Sequence, residues 1–278
     1  MTTPAATERM VFGQLARAHA KRYARHPLFL IGFANAIFWV VFGIVNPEGG
    51  SGMHLMTPLS IGVFGVVVAY RLTKTEDQAL DMLPSTPTSP ATRTLALCAA
   101  AWVPALAGAV TLVVFLVGWW ITPPPNLTPE LDGLGTAGFG AWMVGLSVVA
   151  GLGGPLLGVA VARWWRFRGA GVLTAFLIVV FALASFLLIS PFLGAPVVWR
   201  WSPWIMTWGF TEGLGLDPDR VGWGPPFGHL TYQLGLCALA VWAAVIKDAA
   251  GEQRQVWNRR GLIAAVVALG GLWWAIFG

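Results

Sequence analysis

Chemistry needs particular residue types at particular spacings, and few of the usual combinations occur in this 278-residue chain. The three lysines, Lys21, Lys74 and Lys247, never follow a glycine, so there is no P-loop to cradle phosphates and no ATPase of its own. His19, His26, His54 and His229 lack metal-ligand spacing, and no metal site is expected. There is no G-x-S-x-G elbow for a serine nucleophile. Cys98 and Cys237 each lie inside an apolar run and read as reduced core residues rather than a disulfide. Arg200, Asp217, Asp219, Arg220 and His229 are the only groups that could converge near one membrane interface. A lipid-modifying membrane enzyme would have to use them, but Asp217 and Asp219 read better as a solvated turn.

The remaining polar residues of note are concentrated in Thr73–Arg93, which reads TKTEDQALDMLPSTPTSPATR between two uninterrupted apolar runs. Acidic residues surround Leu80, Met82 and Leu83, and Pro84, Pro87 and Pro90 follow. A loop joining two membrane helices could be far shorter. The pattern predicts a short amphipathic helix, Lys74 to Leu83, and a proline-stiffened return. It suits a docking element for a soluble partner.

The elements that would position it are membrane helices. The chain is 56% apolar and 10% charged, whereas a soluble domain carries about a quarter charged residues. Its apolar runs are of about 17 to 28 residues, enough to cross a hydrocarbon core roughly 30 Å thick. The expected fold is all-α: a polytopic bundle of six or seven spans behind an N-terminal interfacial helix. Residues 1–26 form that first unit and 27–278 the transmembrane domain. The spans are placed at Leu28–Val45, Met56–Leu72, Thr94–Ile121, Thr136–Ala162, Ala170–Ile189, Leu230–Ile246 and Gly261–Phe277. Thr122–Gly135 is read as a loop, and Lys247–Arg260 as a mixed-charge segment. The tryptophan- and proline-rich stretch 190–228 is too broken to cross and fits interfacial or re-entrant helices. The polar N-terminus argues against a cleavable signal peptide.

Along Thr7–Arg25, Phe12, Leu15, Ala16, His19 and Tyr23 share one helical face. Gln14, Arg17, Lys21 and Arg25 share the other, with Arg22 adding to the basic set, which suits a helix in the headgroup layer facing anionic lipids. Of the 17 Lys and Arg, only Arg200 and Arg220 fall on the side opposite the N-terminus and Thr73–Arg93. That asymmetry makes the N-terminus and Thr73–Arg93 cytoplasmic, and turns the net charge of +5 into a matter of topology rather than nucleic-acid binding. The spans hold no buried Asp, Glu, Lys or Arg, which argues against an ion- or proton-coupled carrier. Asn35, Ser60, Thr111, Ser147, Thr174 and Ser185 read as glue between helices. Asn35 is the one candidate for a translocation path. Gly151, Gly153, Gly154 and Gly158 allow close backbone approach in the fourth span, where Pro155 should introduce a kink.

A basic interfacial helix, two spans, the loop Glu76-Asp77-Gln78-Ala79-Leu80-Asp81-Met82-Leu83-Pro84-Ser85-Thr86-Pro87-Thr88-Ser89-Pro90, then further spans: this order resembles ABC-2 type transporter permeases. The likeness covers most of Met10–Lys247, and Gly261–Phe277 exceeds the usual six spans. The resemblance implies that 73–93 is a coupling loop, with Glu76, Asp77, Leu80, Asp81, Met82, Leu83 and Pro87 meeting a soluble ABC ATPase. That partner would bind ATP and Mg, while this chain carries no cofactor. It further implies a second permease subunit, as homo- or heterodimer, and a bacterial plasma (inner) membrane location. The cargo would be hydrophobic or amphipathic and its direction export. A non-transporting anchor or immunity protein is the other alternative, retaining the fold without the ATPase contact.

Overall fold

Long apolar runs without strand-like alternation fold here into helices. The computed structural model describes residues 4–46, 57–82, 88–122, 128–165, 167–184 and 225–277, among which every regular element is helical. The first is α1 (Pro4–Ala24), and α2 (Pro27–Val45) follows after a two-residue turn. His26 caps α2: its ring nitrogen accepts from the Leu28 N–H at 3.2 Å, and Pro27 occupies a first-turn position where no donor is needed. A π-helical turn, Pro58–Val63, leads into α3 (Phe64–Met82). Ser89 then caps α4 (Pro90–Ala99), its Oγ accepting from the Thr92 N–H at 3.2 Å. Next come α5 (Trp102–Ile121), α6 (Thr128–Val144), a second π turn at Gly145–Val149, α7 (Ala150–Trp164), α8 (Ala170–Ala184), α9 (Pro226–Ile246) and α10 (Gly251–Phe277).

Among the described residues, five helical stretches are long and apolar enough to cross a membrane: Pro27–Val45, Pro90–Ile121, Thr136–Trp164, Pro226–Ile246 and Gly251–Phe277. The protein is therefore a multi-pass membrane protein. Burial identifies the centre. The spanning part of α6–α7 is 78% buried, against 22% for α2 and 28% for α10, so α6–α7 is the axis and the other two lie at the periphery.

Glycine makes that axis possible. A Cβ on Gly154 or Gly158 would strike the backbone carbonyls of Gly62 and Val66, so α7 rests directly on the first π turn and α3. Such small-residue contacts replace the missing hydrophobic drive between helices in lipid. The two π turns are used alike: Ser60 O and Ser147 O lie against Gly32 of α2 and Gly108 of α5. At the periphery, Gly228 meets Ala275, Gly235 meets Ala268, and Gly261 meets Trp242, which makes α9 and α10 an antiparallel hairpin.

Several boundaries differ from expectation. The separate amphipathic helix after Leu72 does not exist as such, because α3 runs without interruption from Phe64 to Met82. Nothing from Thr73 to Leu80 breaks a helix; the next proline after Pro58 is Pro84. The third span is divided at Ala100–Ala101, four residues before Pro104, whose ring excludes the carbonyl of Ala100 from a continuous helix. The loop Thr122–Gly135 is helical from Thr128, where Pro129 and Glu130 suit a first turn. Pro226 starts the helix expected at Leu230, and most of the mixed-charge segment Lys247–Arg260 belongs to α10. Residues 185–224 lie outside the described ones, and with them almost all of the expected re-entrant stretch.

Candidate functional site

The polar residues that matter most gather at the end of the bundle where α3 leaves its apolar stretch. Here α3 carries Thr73 to Met82 beyond Leu72, and the face it turns inward is acidic. Glu76 is 8% exposed and His19 of α1 is 4% exposed, with Nε2 and Oε2 at 3.4 Å. One position along, Asp77 accepts a hydrogen bond from an Arg163 terminal nitrogen, and Lys74 stands 3.9 Å away on its other side. Arg163 lies in the last turn of α7, four residues after the fully buried Val159, so it shares that inward face. Its Nε is 3.2 Å from Oδ2 of Asp248, in the turn between α9 and α10. Asp248 in turn accepts from the Thr94 hydroxyl of α4. One guanidinium thus serves two carboxylates, by a hydrogen bond to Asp77 and by ion-pair proximity alone to Asp248, because Nε lies at 3.2 Å without hydrogen-bond geometry. The cluster joins α1, α3, α4, α7 and the α9–α10 turn.

Burial governs the titration of its inner pair. It lowers the His19 pKa from 6.5 to about 4, with Arg22 and Arg163 pushing the same way. Burial raises Glu76, further helped by Asp77, against the pull of Arg163, Arg93 and Arg22. An ion pair would move both groups in the opposite directions, so His19–Glu76 is a contact with a neutral imidazole rather than a salt bridge in the energetic sense.

Below it, α1 is wedged into the bundle. Tyr23 is 1% exposed, its ring edge-on to Phe29 at 5.3 Å, and its hydroxyl donates to Gly65 O at 3.4 Å. Arg17, Lys21, Arg22 and Arg25 point outward. The turn after α7 is pinned separately: Trp164 Nε1 donates to Ala243 O at 2.7 Å, Tyr70 donates to Phe167 O, and Lys247 lies 4.8 Å over the Trp164 ring.

These positions bear on each residue singled out from the sequence. Glu76 and Asp77 face other parts of this chain, while Thr75, Gln78 and Ala79 form the exposed stripe of the extension. The backbone of Leu80, Asp81 and Met82 is helical, but their side chains, and all of Leu83 and Pro87, lie outside the described residues. Asn35 Nδ2 donates to Ser60 Oγ at 2.7 Å, which joins α2 to the first π turn. Thr111 and Thr174 donate to Gly108 O and Ala170 O in their own helices, so they are not glue between helices. Arg200, Asp217, Asp219 and Arg220 fall outside the described residues. No metal-holding group of His, Cys, Asp and Glu occurs among the described ones.

Sequence reading missed Arg163, Asp248 and Thr94, and it had no partner for His19. The helical phase of Gly151–Gly158, carried one turn further, would have put Arg163 near the buried face. It could not have supplied the two aspartates. Among the described residues, the side chain of Arg163, at the end of the fourth span, is only 10% exposed, so buried charge begins there. No family model matches this chain, nor does any curated protein or solved structure.

Proposed function

We propose that this chain is the membrane-spanning subunit of an ATP-driven ABC exporter of the ABC-2 permease kind. It carries six or seven spans, lies in a bacterial plasma membrane with its N-terminus in the cytoplasm, and moves a hydrophobic or amphipathic cargo. The observation that carries this reading is the unbroken course of α3 from the glycine-packed centre to Met82. A push on the extension is transmitted along a stiff rod to the Val66–Gly158 contact, with no flexible joint to absorb it. A helix serving only as a connection gains nothing from such a lever. The α1 helix, packed against α3 and α4, braces the extension on both sides of the 83–87 interval.

A soluble ATPase supplies ATP and Mg chemistry, and Leu80, Met82 and Leu83 seat in its groove. Thr75, Gln78 and Ala79 add the exposed face, and Pro87 stiffens the exit. Glu76 and Asp77 act from the inner side, by holding the extension to the bundle. A second permease subunit covers α2, where Asn35 stands in mid-span among the exposed Ile31 and Phe38. An amide at that depth calls for polar company beyond Ser60, and the subunit interface or the cargo path provides it.

The test is the double replacement of Leu80 and Leu83 by Asp. It should leave insertion intact and abolish cargo-stimulated ATP turnover by the assembled transporter. Normal stimulated turnover in that variant would sink the proposal.

A further inference from the structure

Arg163 joins two elements far apart in sequence, and its partners differ in access. The side chains of Arg163 and Asp248 are 10% and 17% exposed, but Asp77 is 33% exposed. From outside the bundle, Asp77 is thus the open member of the cluster. The guanidinium hydrogen-bonds Asp77 and lies within ion-pair distance of Asp248, so its charge ties α3 and the α9–α10 turn together. Without it, Asp77 and Asp248 would lose the cation they share, and Asp77 would stand without a guanidinium one residue from the buried Glu76. Lys74 Nζ, 3.9 Å from the other carboxylate oxygen, places a second cation beside Asp77.

We propose that Arg163 is a latch on the α3 extension, and that a docking partner opens it by presenting a cationic side chain to Asp77 in place of Arg163. Arg163 stays with Asp248 when this happens, so the α9–α10 hairpin keeps its hold on α7 while α3 is freed. The partner surface that fits is a basic residue beside an apolar groove. Its identity as an ATPase rests on the reading above, whereas the latch is a property of this chain alone.

Hydrogen exchange of the full-length protein in lipid nanodiscs, followed over residues 73–82, separates the two. Asp77→Asn and Arg163→Gln should each speed exchange there by about tenfold, and the double variant no further, because both remove the Arg163–Asp77 pair; the Asp248 contact that Arg163→Gln also removes does not touch the extension. Asp248→Asn should leave the extension protected. Asp81→Arg places a cation four residues from Asp77, one helical turn away. It imitates the partner and should speed exchange severalfold, but only while Asp77 is present. Exchange over 262–275 in α10 reports whether each variant is folded. Unchanged protection in folded Asp77→Asn would overturn the latch, as would additive effects in the double variant. A silent Asp81→Arg would overturn the exchange of cations. Absence of an ATPase partner would remove the functional reading and leave the latch standing.

Discussion

The middle of the bundle and its charged end hold the same two helices together by opposite means. Where the first π turn and α3 cross α7 in the apolar region, Gly154 and Gly158 lie on the backbone carbonyls of Gly62 and Val66. Some turns further along the same helices, Asp77 and Arg163 make an ion pair. Close packing in the membrane allows little adjustment, since any added atom meets backbone. An ion pair near water can be exchanged for another partner at modest cost. The difference teaches where motion can begin: the charged end can let go, and the glycine seam transmits.

The charged end should be the more sensitive to loss of a single group. Replacing Arg163 by Gln leaves Asp77 and Asp248 without their guanidinium and should cost about 2–3 kcal/mol, below the roughly 3–5 kcal/mol of a fully buried pair because Asp77 is 33% exposed. The measure is thermal unfolding of the purified protein in a mild detergent. A cost below about 1 kcal/mol would place the pair with ordinary surface salt bridges and erase the contrast.

At the seam, Gly154→Val forces the first π turn and α7 apart and should cost about 1–3 kcal/mol through overpacking. The same change at Gly140, which has no neighbour within 4 Å of its would-be Cβ, should cost less than half as much. Equal effects at the two glycines would show that the seam does not depend on backbone contact.

Acid should separate the two regions again. His19 has a folded pKa of about 4, below its ordinary 6.5, so its contribution to stability is present above pH 6.5 and is lost as pH falls towards 4. Glu76 is raised, so its contribution is largest below 4.5 and is lost as pH rises through the folded value. The two partly offset each other over that window. Glu76→Gln should therefore steepen the loss of thermal stability between pH 6.5 and 4.5, and His19→Gln should flatten it. The Gly154→Val loss should not vary with pH, because no titrating group lines that contact.

The smallest effect is expected at Asn35. Its bond to Ser60 is a single hydrogen bond within the membrane, worth about 0.6 kcal/mol on average. Asn35→Ala should lower stability by that order in detergent, and by more if the amide also meets a second subunit.

Much of the seam was legible in the sequence. The glycines of α7 announce close approach, the apolar runs announce spans, and the phase of Phe12, His19 and Tyr23 marks the inner face of α1. Local pattern suffices there because each feature concerns one helix. The cluster was not legible, since Asp77 and Arg163 are 86 residues apart and Thr94 and Asp248 are 154 apart. Charge in the sequence reads as solvated unless packing brings it inside, and only the crossing of α3 with α7 decides that. The continuity of α3 was misread for a different reason: a change from apolar to polar residues marks the edge of a membrane, but it does not end a helix.

Purification of the chain from its native membranes tests the central claim most directly. A soluble, ATP-hydrolysing subunit should come down in stoichiometric amount and be lost when Leu80 and Leu83 are replaced by Asp. Recovery of the intact wild-type chain with no ATPase bound, under conditions that preserve its thermal stability, would contradict it.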